Sequence, residues 1–166
     1  MRYSATDYAG NRTQGTISAR VDNVPPRTLS TLSAGPDGAP RIALSVTEKG
    51  SGLDATTYRI DDGPALTHTG PFTLDPDRPH LVRFASTDVV GLKETEQGIF
   101  VRRAGDVDGN GEVGILDAVY LLRVIAEGDP HPWKDDPKIF TPADLNGNGA
   151  LEVGDAVRLL KKLVGL

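Results

Sequence analysis

The sequence predicts a two-part chain, an antiparallel β-sandwich followed by a small all-α unit. Three observations carry that reading. Between residues 28 and 103, short runs alternate apolar with polar residues and are separated by Gly- and Pro-rich turns, the pattern of strands buried on one face. The last 63 residues contain one twenty-residue segment twice, each copy an Asp/Asn/Gly loop leading into an apolar stretch of helical period. Charge is segregated as well. Residues 1–103 hold twelve basic and twelve acidic residues, whereas residues 104–166 hold six and eleven, so the formal charge of −5 lies in the C-terminal part.

Composition narrows the classes. The chain has 166 residues, 38% of them hydrophobic, with 19 Gly and 12 Pro. That is too little apolar material and too many turns for one large α/β enzyme core. The absence of Cys excludes disulfides and thiolate metal sites. No segment is basic enough for nucleic-acid binding, and no apolar run approaches a membrane span.

The strands follow in order. In Arg41–Thr47, Ile42, Leu44 and Val46 alternate with polar or small neighbours. Residues 51–54 (SGLD) read as a turn, and Thr56–Ile60 is β-branched and aromatic until Asp61-Asp62-Gly63-Pro64 ends it. Pro71–Leu74 begins a short strand, His80–Thr87 alternates through Val82 and Phe84, and Thr95–Arg102 returns. Tyr58 and Phe72 are expected in the core rather than as a sugar-stacking platform, and His68 and His80 on the surface. No paired carboxylates on rigid elements, nucleophile–base pattern or phosphate loop marks an active site, so these residues are expected to be non-catalytic.

A second, weaker repeat lies further upstream. Arg2–Thr13 is similar to Arg83–Glu94 at an offset of 81, with Arg2, Thr6, Asp7 and Gly10 matching Arg83, Thr87, Asp88 and Gly91. The chain therefore reads as a fragment in which residues 1–26 are the end of a preceding unit, residues 27–103 the full unit and residues 104–166 the helical part. Ser51-Gly52, Thr57-Tyr58, Asp61 to Gly63, Pro71-Phe72 and Ser86-Thr87-Asp88 to Gly91 resemble the bacterial immunoglobulin-like repeats of extracellular proteins. That resemblance implies an immunoglobulin-like β-sandwich and says little about function.

The C-terminal repeat is more specific. Segments beginning at Asp106 and Asp144, offset by 38, share nine identities in twenty. Each fits a twelve-residue calcium loop, which takes side-chain oxygens at positions 1, 3 and 5, a carbonyl at 7, a water or side chain at 9 and a carboxylate at 12. Asp106, Asp108 and Asn110 fill positions 1, 3 and 5 of the first loop; Glu112 gives its carbonyl, Gly114 leaves position 9 to water, and Asp117 closes the loop. In the second, Asp144, Asn146 and Asn148 are followed by Ala150, which gives its carbonyl, then Glu152 and Asp155. Gly111 and Gly149 stand at position 6, where the turn favours positive φ. Oxygen donors without His or Cys select Ca²⁺, and two ions are expected. Val119, Leu122 and Ile125–Ala126 recur at helical spacing after the first loop, as do Val157, Leu160 and Leu163–Val164 after the second. No entering helix precedes Asp106.

Paired loop–helix units with Asp at position 12 and Gly at 4 and 6 resemble type I dockerins, over about Ala104 to Leu166. The resemblance implies a module folded around two Ca²⁺ ions that docks onto a cohesin module and anchors a secreted, often polysaccharide-degrading, protein in a scaffold such as a cellulosome. Its recognition pair falls on Ile115-Leu116 and Val153-Gly154, and its basic helix positions on Arg123 and Lys161-Lys162. The pair is apolar here where the family often carries hydroxyls, which implies a different cohesin specificity or another partner. The implied setting is extracellular or on the cell surface. The rival expectation is a carbohydrate-binding or adhesin tail in which calcium only staples the terminal unit. Trp133, in the linker Glu127–Pro142, is expected to plug the small helical core.

Overall fold

The computed structural model describes residues 2–17, 21–35, 37–127 and 141–166. Residues 128–140, with Trp133, lie outside the described residues. Among the described residues the elements follow in this order: β1 (Arg2–Thr6), β2 (Arg12–Thr16), β3 (Arg27–Ala34), β4 (Pro40–Thr47), β5 (Leu53–Ile60), β6 (Leu66–Thr67), β7 (Phe72–Thr73), β8 (His80–Asp88), β9 (Gln97–Val101), α1 (Ile115–Glu127) and α2 (Val153–Val164), with residues 141–143 also helical.

Strands β3 to β9 form two antiparallel sheets, ordered β3-β4-β7 and β6-β5-β8-β9. Period-two alternation places Ile42 and Leu44 of one sheet against Val82 and Phe84 of the other, with Leu32, Leu74 and Val101 completing the shared core. Tyr58 and Phe72 pack on that core and stack on each other, ring centroids 4.0 Å apart and planes 10° from parallel. The hairpin β1–β2 is a separate two-stranded sheet.

The turn expected over residues 51–54 is shorter than its composition indicates. Leu53 and Asp54 already belong to β5, and the pairing with β8 is irregular between Leu53 and Ala55. Strand β3 was not anticipated, because its inward positions are Thr28, Ser30 and Leu32 while Leu29 points outward and is exposed.

His80 corrects the surface expectation. It is buried, with Nδ1 2.9 Å from Asp61 Oδ2 and Nε2 3.2 Å from the Asp75 carbonyl. His68 is half-buried, its ring set edge-on to Tyr58 and Phe72. Asp61 accepts from the Leu81 N–H at 2.9 Å and faces His80 and Arg78. The Leu81 N–H, then His80, holds its carboxyl below the usual carboxylate range. A depressed folded-state pKa contributes stability above the unfolded-state value, about 3.9, and that contribution is lost as pH falls through the folded-state value. Asp61→Asn is therefore expected to cost about 1 kcal/mol at neutral pH, a discounted figure because the side chain is 36% exposed. The gap to the wild type should close below about pH 4 in urea melts across pH; a gap that does not vary with pH would contradict this.

The helical unit begins directly after β9 and packs on the sheets. The Ala104 N–H donates to the Pro76 carbonyl at 2.8 Å, and Lys162 Nζ lies 2.7 Å from Asp77 Oδ1 and 3.3 Å from the Ala104 carbonyl. Its core obeys the sequence offset of 38: Val107, Ala118 and Leu121 from the first half meet Leu145, Ala156 and Leu159 from the second. The covered side of each helix is thus Ala118/Leu121 and Ala156/Leu159. Val119, Leu122, Val157 and Leu160, whose periodicity announced the helices, are exposed.

Candidate metal centre

Each loop is held by the same hydrogen-bond scheme, transposed by 38 residues. At position 1, Asp106 accepts from the Gly109 and Gly111 N–H groups at 2.9 and 3.2 Å, and Asp144 accepts from Gly147 and Gly149 at 2.8 and 3.0 Å. At position 3, Asp108 Oδ1 accepts from the Asn110 N–H and Asn146 Oδ1 from the Asn148 N–H. At position 5, Asn110 Oδ1 accepts from Glu112 and Asn148 Oδ1 from Ala150. These bonds curl the backbone so that alternate side chains face one centre. Gly111 and Gly149 turn it at φ 90° and 81°, where a β-carbon is unfavourable.

Position 12 closes each loop and starts each helix. Asp117 Oδ1 accepts from Val107 and Asp108 at 2.8 and 3.1 Å, and its Oδ2 accepts from Gly114 at 2.8 Å. Asp155 repeats this with Asn146 at 3.1 Å and Glu152 at 3.0 Å. Both stand in the first helical turn, where the helix dipole favours negative charge.

Asp106, Asp117, Asp144 and Asp155 are buried. One carboxylate oxygen of each of Asp106, Asp108 and Asp117 lies within 4.8 Å of the others. Three carboxyl groups so close, two of them buried, form a site that could hold a cation. In the second loop, burial and then the neighbouring Asp144 push the Asp155 carboxyl up. Glu152 lies beside that loop and accepts from the Asn146 and Asn148 amides at 3.1 and 2.9 Å. Each oxygen of Asp106 and Asp144 takes one N–H and keeps a second lone pair, and such oxygen donors suit a hard cation of Ca²⁺ type.

The expected recognition residues fall on one exposed surface in part. Ile115 (60%), Leu116 (65%) and Val153 (57%) are exposed, and Gly154 is exposed beside them. Lys161 is exposed and lines an apolar groove of about 390 Å³ with Ile115, Val157, Leu160, Leu163 and Val164. Arg123 is exposed and paired with Glu127 at 2.7 Å. Lys162 turns instead to Asp77 and the Ala104 carbonyl. The sequence reading missed Val119, Leu122, Val157 and Leu160 as surface residues. The available signal was that Ala118/Leu121 and Ala156/Leu159 form an equally periodic stripe, and small residues allow helices to approach.

Residues 104–164 match the family model of the dockerin type I domain. Dockerins are non-catalytic calcium-binding modules that dock onto cohesins, typically on secreted or cell-surface proteins. No curated protein matches the chain. Among the described residues, no helix is long and apolar enough to cross a membrane.

Proposed function

We propose that residues 104–166 form a docking module that folds around two Ca²⁺ ions and binds a cohesin-type domain. In this reading residues 27–103 are an immunoglobulin-like spacer without catalytic activity. The parent protein is extracellular and linked to polysaccharide breakdown.

One observation carries the docking part. Transposed by 38 residues, Ile115, Val119 and Leu122 become Val153, Val157 and Leu160, and all six are at least 36% exposed. A solitary calcium staple has no need of two matching apolar faces turned to water, whereas a protein interface does. Calcium supports that face at a distance, since Asp117 and Asp155 fix the first turn of each helix. The sandwich favours no sugar-binding role: the stacked faces of Tyr58 and Phe72 meet each other, and both rings pack on the core.

The test is binding of the full chain to a panel of type I cohesins by surface plasmon resonance, with and without chelator. Calcium-dependent binding is expected. Val119→Asp with Val157→Asp should weaken it by about 2 kcal/mol or more, the scale of buried interface anchors, while helix content in calcium stays unchanged. Absence of binding across the panel would leave calcium as a staple only.

A further inference from the structure

A second group of acids converges at the other end of the sandwich. Asp22 lies in the segment between the β1–β2 hairpin and β3, Glu48 follows β4, and Asp88 ends β8. The register brings them together: Arg27 pairs with Thr47, and Leu53 with Asp88. One carboxylate oxygen of each lies within 4.8 Å of the others.

An acidic cluster alone says little, but the burial of Asp88 says more. Asp88 is 1% exposed. Its Oδ1 accepts from the Leu92 N–H at 2.7 Å, and its Oδ2 is buried without a hydrogen-bond partner among the described residues. Glu48 Oε2 and Ser51 Oγ are likewise buried and unpartnered there. Three orphaned oxygens around a carboxylate cluster is the arrangement that protein interiors otherwise avoid.

The matching turn of the β1–β2 hairpin shows what ordinary satisfaction looks like. Asp7 and Asp88 make the same backbone bonds, to Asn11 and Gly10 in one turn and to Leu92 and Gly91 in the other. Asp7 Oδ1 also accepts from the Asn11 N–H, as Asp88 Oδ1 does from Leu92. Asp7 Oδ2 then takes the Asn11 side-chain amide at 2.9 Å. Leu92 stands in place of Asn11 and offers no side-chain donor, so Asp88 Oδ2 is left for another ligand.

The second acid is held close. Asp22 Oδ2 accepts from the Ser51 N–H at 2.5 Å, and a β-carbon on Gly50 would lie 2.0 Å from that oxygen. Glu48 Oε1 accepts from the Gly50 N–H at 2.6 Å, leaving Oε2 for the centre. We propose that Asp22, Glu48 and Asp88, with Ser51 Oγ, bind a further Ca²⁺ ion, outside the two helical loops. Oxygen-only donors of this charge suit Ca²⁺. The ion would fasten the segment that follows the hairpin to the end of the sandwich.

Equilibrium dialysis of the full chain against Ca²⁺ tests this by difference, whatever the helical loops bind. Asp88→Asn keeps the Leu92 hydrogen bond, and both it and the pair Asp22→Asn/Glu48→Gln are expected to bind one ion fewer than the wild type. If Asp88→Asn fails to fold, the pair decides, because Asp22 and Glu48 are only half-buried. Variants that keep the wild-type near-ultraviolet circular dichroism and bind as many ions as the wild type would overturn the site.

Discussion

Chelation of calcium is expected to melt the helical unit of the full chain and leave the β-sheets folded. Among the described residues, four of the eight buried in the helical core are alanines, so the apolar area they bring to the contact of α1 with α2 is small. Against it stand Asp106, Asp117, Asp144 and Asp155, all buried, whose mutual repulsion grows when no cation lies between them. A ligand present at about 1,000 times its dissociation constant adds about 4 kcal/mol, comparable to the whole stability of a small domain. Metal binding and helix formation then become one equilibrium. Far-ultraviolet circular dichroism during titration with chelator should lose its helical component and regain it with Ca²⁺. Undiminished helix and an unchanged melting temperature in excess chelator would refute the coupling. Chelation is a cleaner probe than Asp117→Ala, which also strips three loop N–H groups of their acceptor.

The parts of the chain that were legible are those where one residue type answers one geometric demand. The loops were legible as paired turns because Asp and Asn side chains accept loop N–H groups at the same positions in both, and glycine takes the positive-φ position. Strands β4 and β8 were legible because Ile42, Leu44, Val82 and Phe84 alternate against a shared core. The helices were legible as helices, but not their orientation. Each carries apolar residues on two sides, and the side made of Ala118/Leu121 and Ala156/Leu159 wins the interior because it permits closer packing. His80 held a readable clue, since it shares the inward parity of Val82 and Phe84 in β8. The cluster of Asp22, Glu48 and Asp88 was not legible, because its members come from three segments brought together only by strand register. Strand β3 failed for a related reason: its buried Thr28 is satisfied by a residue far along the chain, Glu94.

That partner makes Glu94→Ala the other substitution with a large expected effect, confined to the sandwich. The Glu94 carboxylate accepts from the Thr28 N–H at 2.9 Å, the Ser86 N–H at 2.8 Å and the Gln97 amide at 3.0 Å, and it receives the Thr28 hydroxyl. Thr28 Oγ1 in turn lies 2.6 Å from Ser86 Oγ, which is 2.7 Å from Thr56 Oγ1. The network joins β3 of one sheet to β5 and β8 of the other, where their inward positions are polar. Thr28, Thr56, Ser86 and Glu94 are all buried, so removal of the carboxylate leaves several donors without water or partner. Each such donor costs about 1–3 kcal/mol, and relaxation of the cavity recovers part of the sum. A net loss of about 3 kcal/mol is expected, from several buried neutral donors left unpaired together. Urea denaturation followed by near-ultraviolet signal would measure it, and a loss under about 1 kcal/mol would mean that solvent reaches the network. Thr28→Val in the Glu94→Ala background should cost less than in the wild type, because the hydroxyl it removes has already lost an acceptor. That coupling separates the network from simple loss of side-chain volume.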